Sequence, residues 1–343
     1  MGRGVDDPPP LSSGRPHSDG REKMTTKTES TVLGESILDI VINNGRQDER
    51  VGGSSLNVAV GLTRLGNDVT FVTQLGEDRA GALIESHLAA AGVRVASGSI
   101  SKRPTSVARA AIDDRGDASY DFSFTWDSAS VALPPSVSGL LHLGAVASLS
   151  VSDHELMTRL AAMRPHNVIS YDPNVRPALT GEGAEAAAAV ERIVALADVV
   201  KVSTEDIRLL YGAVDLASVA TAWILDGVGL VVITDGANGA RAFARSSEVG
   251  VEASRVEKLT DTIGAGDAFM SGLLWALGSC GALQRESLHQ IDTDTLARCL
   301  RIAATSAALA VEQQGANPPT LLALTERLRR DDAVDHARRY FAE

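Results

Sequence analysis

"KLTDTIGAGDAFMSG", residues 258–272, places Asp261 and two threonines ahead of a Gly-Ala-Gly turn, then a second acid, Asp267, then an apolar run. Gly264 and Gly266 permit backbone dihedrals that leave successive N–H groups pointing one way. The run "DAFMSGLLWALG", residues 267–278, predicts a helix with Phe269, Leu273, Ala276 and Leu277 on one face. An anion at such a helix start meets unsatisfied N–H groups and the positive end of the helix dipole. A P-loop would need GxxxxGK followed by Ser or Thr, and no such string occurs. A dinucleotide fingerprint, GxGxxG, would need a glycine where Phe269 stands. A carboxylate at 267 repels a resting pyrophosphate, but it suits a proton acceptor beside a place where negative charge builds up. Asp is also an ordinary helix cap, so the rest of the chain has to decide between the two.

Outward from that stretch, apolar runs of strand length alternate with helical patterns. "STVLGESILDI" (30–40) and "DVTFVTQLG" (68–76) flank "SSLNVAVGLTRLG" (54–66), whose apolar residues fit a buried helix ended by Gly66. A helix "AGALIESHLAAAG" (80–92) follows. Further on come a strand "LLHLGAVA" (140–147), a strand "HNVISYD" (166–172), and an Ala-rich helix near 184–197. Then come "ADVVKVS" (197–203), two helices to about 225, and the continuous apolar strand "LVVITDG" (230–236). This alternation predicts an α/β fold: a doubly wound, mostly parallel sheet with helices on both faces. The block from 97 to 126 breaks the rhythm. Its "TSVARAAID" and "ASYDFSFTW" flank the turn "DDRGD" (113–117) and predict a hairpin. With residues from about 38–50 it would make a small β lid or a homodimer contact, the plainer reading being a sheet-edge decoration. The expected organisation is a disordered tail over 1–30, one α/β domain over 31–330 and a C-terminal helix or tail over 331–343.

The 343 residues suffice for one large α/β domain, and 44% hydrophobic content supplies its core. Thirty-two basic against 44 acidic residues leave a net charge of −12, which argues against a nucleic-acid or anionic-membrane surface. Cys280 and Cys299 are the only cysteines and read as buried thiols of a cytoplasmic protein. The first 24 residues lack an apolar core and are not a secretory signal; Met24 offers an alternative start to Met1. The long uncharged stretch 131–152 holds Pro134, Pro135, Gly139 and Gly144, so no membrane segment is expected. The seven histidines show no metal-binding spacing.

"DTIGAGDAF" (261–269) resembles the C-terminal signature of the PfkB, or ribokinase-like, carbohydrate kinases, D-T-x-G-A-G-D followed by apolar residues. "VGGSSLNVAVGLTRLG" (51–66) is similar to the same family's N-terminal signature, a Gly-Gly pair opening a helix with Asn shortly after. The two lie more than two hundred residues apart in the family's order, and the resemblance runs from about residue 31 to 330.

The resemblance implies an ATP-dependent sugar kinase with a ribokinase-like fold, Mg²⁺ brought by ATP, and an option for K⁺. It makes Asp267 the catalytic base and Gly264, Ala265 and Gly266 the anion hole. It sets Asp39, at a strand end, with Gly52, Gly53 and Asn57 around the sugar. "YDPNVRP" (171–177) puts Asn174 and Arg176 just past a strand, the ligand edge of an open α/β sheet; related kinases carry a similar string near the transferred phosphate. Where many relatives carry N-x-x-E, this chain has Ser203 and Asp206, or Glu205 in a shifted register, so Asp206 is the expected magnesium contact through water. Asp261 is the expected monovalent-cation neighbour, with turn stabilisation as its other reading. Thr234, Gly236 and Gly239 would border the ATP phosphates and ribose, and Gly315, Ala316 and Asn317 the adenine.

Fructose is the first expected acceptor. 2-Keto-3-deoxygluconate, ribose and a nucleoside are alternatives, and Lys102, Arg103 and Arg109 keep a phosphorylated sugar open. A non-catalytic sugar-binding protein on the same scaffold would be expected to have lost Asp267 or its turn, and both are intact. A dinucleotide oxidoreductase lacks its glycine fingerprint.

Overall fold

The computed structural model describes residues 28–43, 46–112, 118–134, 137 and 139–342. Most of the expected 1–30 tail, and both candidate start residues, lie outside the described residues. The first strand already begins at Glu29, inside that expected tail. In chain order the first strands are β1 (Glu29–Leu33), β2 (Ile37–Asn43), β3 (Arg46–Gly52), β4 (Asp68–Val72) and β5 (Leu75–Gly76). Next come β6 (Arg94–Val95), β7 (Ile100–Ser101), β8 (Val107–Ile112), β9 (Ala118–Ser123) and β10 (Gly139–Leu143). The last are β11 (Asn167–Tyr171), β12 (Val199–Ser203), β13 (Leu230–Thr234), β14 (Ala240–Ala244) and β15 (Ser247–Val251).

Nine strands form the main sheet in the order β15-β14-β13-β12-β11-β10-β1-β4-β6. From β13 to β6 every neighbouring pair is parallel, and β14 and β15 close one edge antiparallel. The inner strands are apolar without alternation because helices cover both faces, as in "NVISY", whose five residues are all buried. One core joins the sheet to the helices Ser54–Arg64, Ala265–Ser279 and Thr293–Val311; a second joins its other face to Gly183–Val194, Thr204–Tyr211 and Leu216–Leu225. From β1 the chain winds outward through β4 to β6, then restarts on the other side of β1 at β10. The strand order therefore reverses between β1 and β10, which opens a crevice at the carboxyl ends of these strands.

"STVLGESILDI" is two strands rather than one. β1 belongs to the main sheet and β2 to a separate four-stranded sheet, β3-β2-β8-β9. The break falls at Gly34, where an added Cβ would lie 1.8 Å from Ser55 Oγ. Glu35 then turns inward to accept from the Ser55 N–H and hydroxyl, so the chain leaves the sheet plane. The small sheet spans 37–52 and 107–123, with β8 and β9 antiparallel; the expected turn at 113–117 lies outside the described residues. Residues 97–105 do not join it, β7 pairing with β5 instead; Ser106 meets its edge, accepting from the Leu38 N–H at 3.0 Å.

Three smaller expectations also differ from the structure. "LLHLGAVA" ends as a strand at Leu143 and turns helical over Val146–Leu149. Cys299 is buried, but Cys280 is exposed past the end of its helix, the two sulfurs 3.8 Å apart. The last helix, Leu321–Ala342, runs through the expected boundary at 330. Among the described residues no single helix is long and apolar enough to cross a membrane.

At the amino ends of the parallel strands, opposite the crevice, Asp198 stitches three of them together. Its carboxylate accepts from the Ile169 N–H at 2.9 Å and from Arg285 Nε at 2.7 Å. Its carbonyl accepts from the Gly229 and Leu230 N–H groups. Asp198→Ala is expected to lower unfolding free energy by about 2 kcal/mol, the cost of an unpaired buried N–H and a lost charged hydrogen bond. Urea titration checks this, and because the site lies at the other end of the strands, the remaining folded protein should keep its activity.

Candidate active site

The helix Ala265–Ser279 begins at the crevice, capped by Gly264 in the left-handed region at φ +76°. No side chain fits at 264, because a Cβ there would lie 2.7 Å from the Ala316 Cβ. The segment leading in is hung on the end of the helix Thr293–Val311: the Thr260 and Asp261 N–H groups donate to the Val311 carbonyl at 2.9 and 3.1 Å. Asp261 fastens it further, accepting from the Ile263 and Gly315 N–H groups. Both Asp261 oxygens are thus engaged in turn stabilisation, the second of its two sequence readings. Among the described residues no acceptor meets the Gly266 or Asp267 N–H at this helix start, whereas the Ala265 N–H, expected in the anion hole, donates to the Thr262 carbonyl at 3.3 Å.

Asp267 sits in the first turn of that helix. Its Oδ1 accepts from Ser54 Oγ at 2.6 Å and its Oδ2 from Asn57 Nδ2 at 2.8 Å. Asn57, expected at the sugar, therefore also orients the carboxylate. Both donors stand on the start of the helix Ser54–Arg64, which enters through Gly53 at φ +115°; a Cβ at 53 would lie 2.7 Å from the Glu35 carbonyl. Asp39 lies inside β2 rather than at a strand end, and a Cβ on Gly52 would come 2.5 Å from its Oδ2. Burial raises the Asp39 pKa above its ordinary value, and Arg50 pulls it back.

The opposite wall comes from the loops after β11 and β12. Asn174 has φ +40°, the one non-glycine among the described residues with positive φ, and Arg176 follows, exposed, at the crevice. Asp206 holds this loop by accepting from the Val175 N–H at 2.8 Å, while its other oxygen accepts from the Ser203 N–H. Ser203 Oγ accepts from the Asp206 N–H in return, which completes a capping box on the helix Thr204–Tyr211. The Ser203–Asp206 pair thus has a structural role here, with both Asp206 oxygens already carrying a backbone donor.

Four side chains at the site were not singled out from the sequence: Ser54, Glu35, Asp172 and Lys201. Lys201 Nζ lies 2.9 Å from Asp172 Oδ2, both side chains buried, and a Cβ on Gly266 would lie 3.2 Å from that ammonium. Burial opposes the Lys201 charge, but Asp172, Asp206 and Asp267 outweigh it and raise its pKa. Burial pushes Asp172 up to about 6, with Lys201 holding it down. Asp267 is raised as well, by burial, and drawn back by Ser54, Asn57, Lys201 and Arg176.

Two cavities meet at the Gly264–Gly266 turn. The first, about 590 Å³, is polar and lined by Glu35, Asp39, Asn57, Asn174, Arg176, Lys201 and Asp267 among others. The second, about 470 Å³, is walled by Val256, Leu259, Phe269, Ala304, Ala307, Ala308 and Val311, with Gly239 at its border. Thr234, Gly236, Thr262, Ala265 and Gly266 line both. Gly315, Ala316 and Asn317, expected at the adenine, line neither. Gly315 donates to Asp261, Ala316 abuts Gly264, and the Asn317 side chain accepts from Arg64, so this segment wedges the turn from behind. The apolar wall comes instead from the helix Thr293–Val311.

A polar crevice with one positioned carboxylate, joined to an apolar pocket at a helix start, fits a reaction between a hydroxylated acceptor and a phosphate-bearing donor with a flat apolar end. Comparison with known proteins points the same way. The pfkB family carbohydrate kinase description matches residues 28–322. The fructokinase of Rhizobium leguminosarum bv. trifolii is 31% identical over 278 residues, covering 77% of this chain and 84% of that one. The structure of a fructokinase with bound ATP from Xylella fastidiosa superposes with a TM-score of 0.71 at 27% identity, covering 89% of this chain and all of that one. A Vibrio cholerae O395 fructokinase in its fructose-, ADP- and calcium-bound form gives 0.70 at 25%, covering 88% and 98%. With both signatures meeting at Asp267, the chain belongs to the PfkB family of carbohydrate kinases, and its activity is ATP-dependent phosphorylation of a sugar.

Proposed function

We propose that the sugar is fructose, phosphorylated on a hydroxyl that donates its proton to Asp267. The observation that carries this reading is the placement of Asp267: fixed by Ser54 and Asn57, it stands where the polar and apolar cavities join. The fructokinases among the relatives support the choice of acceptor. Asp39, Asn57 and Asn174 offer the sugar hydroxyls donors and acceptors, and Gly52 and Gly53 bring backbone close to them. The apolar cavity takes the adenine, with Thr234, Gly236 and Gly239 towards the phosphates.

As the acceptor oxygen forms its bond to the γ-phosphorus, its proton passes to an Asp267 oxygen and the bond to the ADP oxygen breaks. The spreading negative charge meets the Gly266 and Asp267 N–H groups, the helix dipole and Arg176. Mg²⁺ accompanying ATP supplies charge neutralisation on the phosphates when bound. Glu205, exposed on the crevice, would offer that hard ion its oxygens, and Asp206 would stand behind it, since its own oxygens already accept from the Val175 and Ser203 N–H groups.

ADP release across hexoses, pentoses, keto-acids and nucleosides should give fructose the highest kcat/KM; a nucleoside at the top would end the assignment. Asp267→Asn should fold and lose about 10²- to 10⁴-fold in turnover, as expected for a missing general base.

The base works ionised, so activity should fade as pH falls through the Asp267 pKa, which burial sets above the ordinary 3.8. Ser54→Ala removes a donor that favours the ionised form, so the acid limb of kcat/KM should move to higher pH; a pH–rate profile reads this directly. Ala307→Phe, which fills the apolar cavity, should raise the KM for ATP roughly tenfold or more and leave that for the sugar nearly unchanged.

A further inference from the structure

Lys201 is the third residue of "VVKVS", whose three valines are fully buried. Its side chain is 6% exposed and that of its partner Asp172 only 2%. A buried ion pair is weak ground for stability, since apolar residues of similar volume commonly hold a core equally well. The pair is also incompletely satisfied: among the described residues Asp172 Oδ1 has no hydrogen-bond partner. What the ammonium does reach is the catalytic turn. Gly266, lacking a side chain, lets Nζ approach from below, and Lys201 opens on the cavity that holds Asp267.

The charges around Asp267 come from four elements. Glu35 faces it from the loop after β1, Asp172 and Arg176 from the loop after β11, and Lys201 from β12, while Asp206, from the helix that follows, acts on Lys201 and Asp172 in the same cavity; Ser54 and Asn57 are its neutral donors. His142 on β10 also lies near Lys201 but is held neutral by burial, its Nδ1 on Ser170 Oγ. Without Lys201, two acids, Glu35 and Asp172, would face Asp267 against one exposed arginine, and its proton would be held more tightly. We propose that Lys201, anchored on Asp172, is a positioning residue that keeps Asp267 ionised and ready to take the acceptor's proton. This rests on the reading of Asp267 as the base.

The test measures kcat/KM against pH at saturating ATP for the full chain, its Lys201→Met, Lys201→Arg and Asp172→Asn variants, and Asp267→Asn, with thermal melts to show folding. Lys201→Met should move the acid limb up by about one pH unit, the lower end of the shifts a nearby charge produces. The loss of rate should sit in kcat rather than in sugar KM, and should recover at higher pH. Lys201→Arg should restore the wild-type limb. Asp172→Asn removes an acid and leaves the cation, so its limb should move down; this arm carries the test even where Lys201→Met does not fold. Opposite displacements are not produced by loosened packing. An unmoved limb in the folded variants overturns the proposal. Wild-type turnover in Asp267→Asn would instead overturn the base assignment on which it stands, so the two failures are told apart.

Discussion

Two hydrogen bonds, from Ser54 and Asn57 to a single carboxylate, hold together two helix starts that lie more than two hundred residues apart in sequence. Everything at the site takes its place from that contact. In the proposed reading the helix Ser54–Arg64 would carry the acceptor side and the helix Ala265–Ser279 the phosphate side. Asp267 is the atom group they share. Because both helices enter through glycines whose Cβ atoms would strike backbone or a neighbouring side chain, neither start has room to drift.

The division of labour follows from the sheet. On one side of the β1–β10 reversal the small sheet and Glu35 build a polar wall, and on the other the strand ends of β11 to β13 present the loops that line the opposite side of the cavity. Acidic residues are dense here. Several are tolerated because they have donors: Ser55 for Glu35, backbone N–H groups for Asp206 and Asp261, Lys201 for Asp172. Positioning and charge, more than any covalent device, are what such a transfer asks of a protein.

Much of this was legible in the chain. The Gly-Ala-Gly turn with its second acid, the Gly-Gly pair with Asn57, and the continuous apolar strands each announce themselves locally, since backbone freedom and burial are properties of short stretches. Contacts between distant stretches are not. Nothing near Ser54 marks it as a partner of Asp267, and nothing near Gly315 shows that its N–H goes to Asp261 instead of lining the adenine pocket. "STVLGESILDI" reads as one strand because the reason it breaks, Ser55 pressed against Gly34, comes from elsewhere in the fold. Lys201 does carry a local signal: a lysine in the middle of a run that must be buried on both faces needs an anionic partner and a reason.

The close fit of Gly264 on Ala316, with the preceding amides tethered to Val311, makes the rear of the catalytic loop continuous with the floor of the nucleotide pocket. Under the proposed placement of the nucleotide, a purine ring over Ala307 and Ala308 would lean on the very rod from which the amide turn is suspended. One rod thus walls the apolar compartment and carries the turn that borders the polar one.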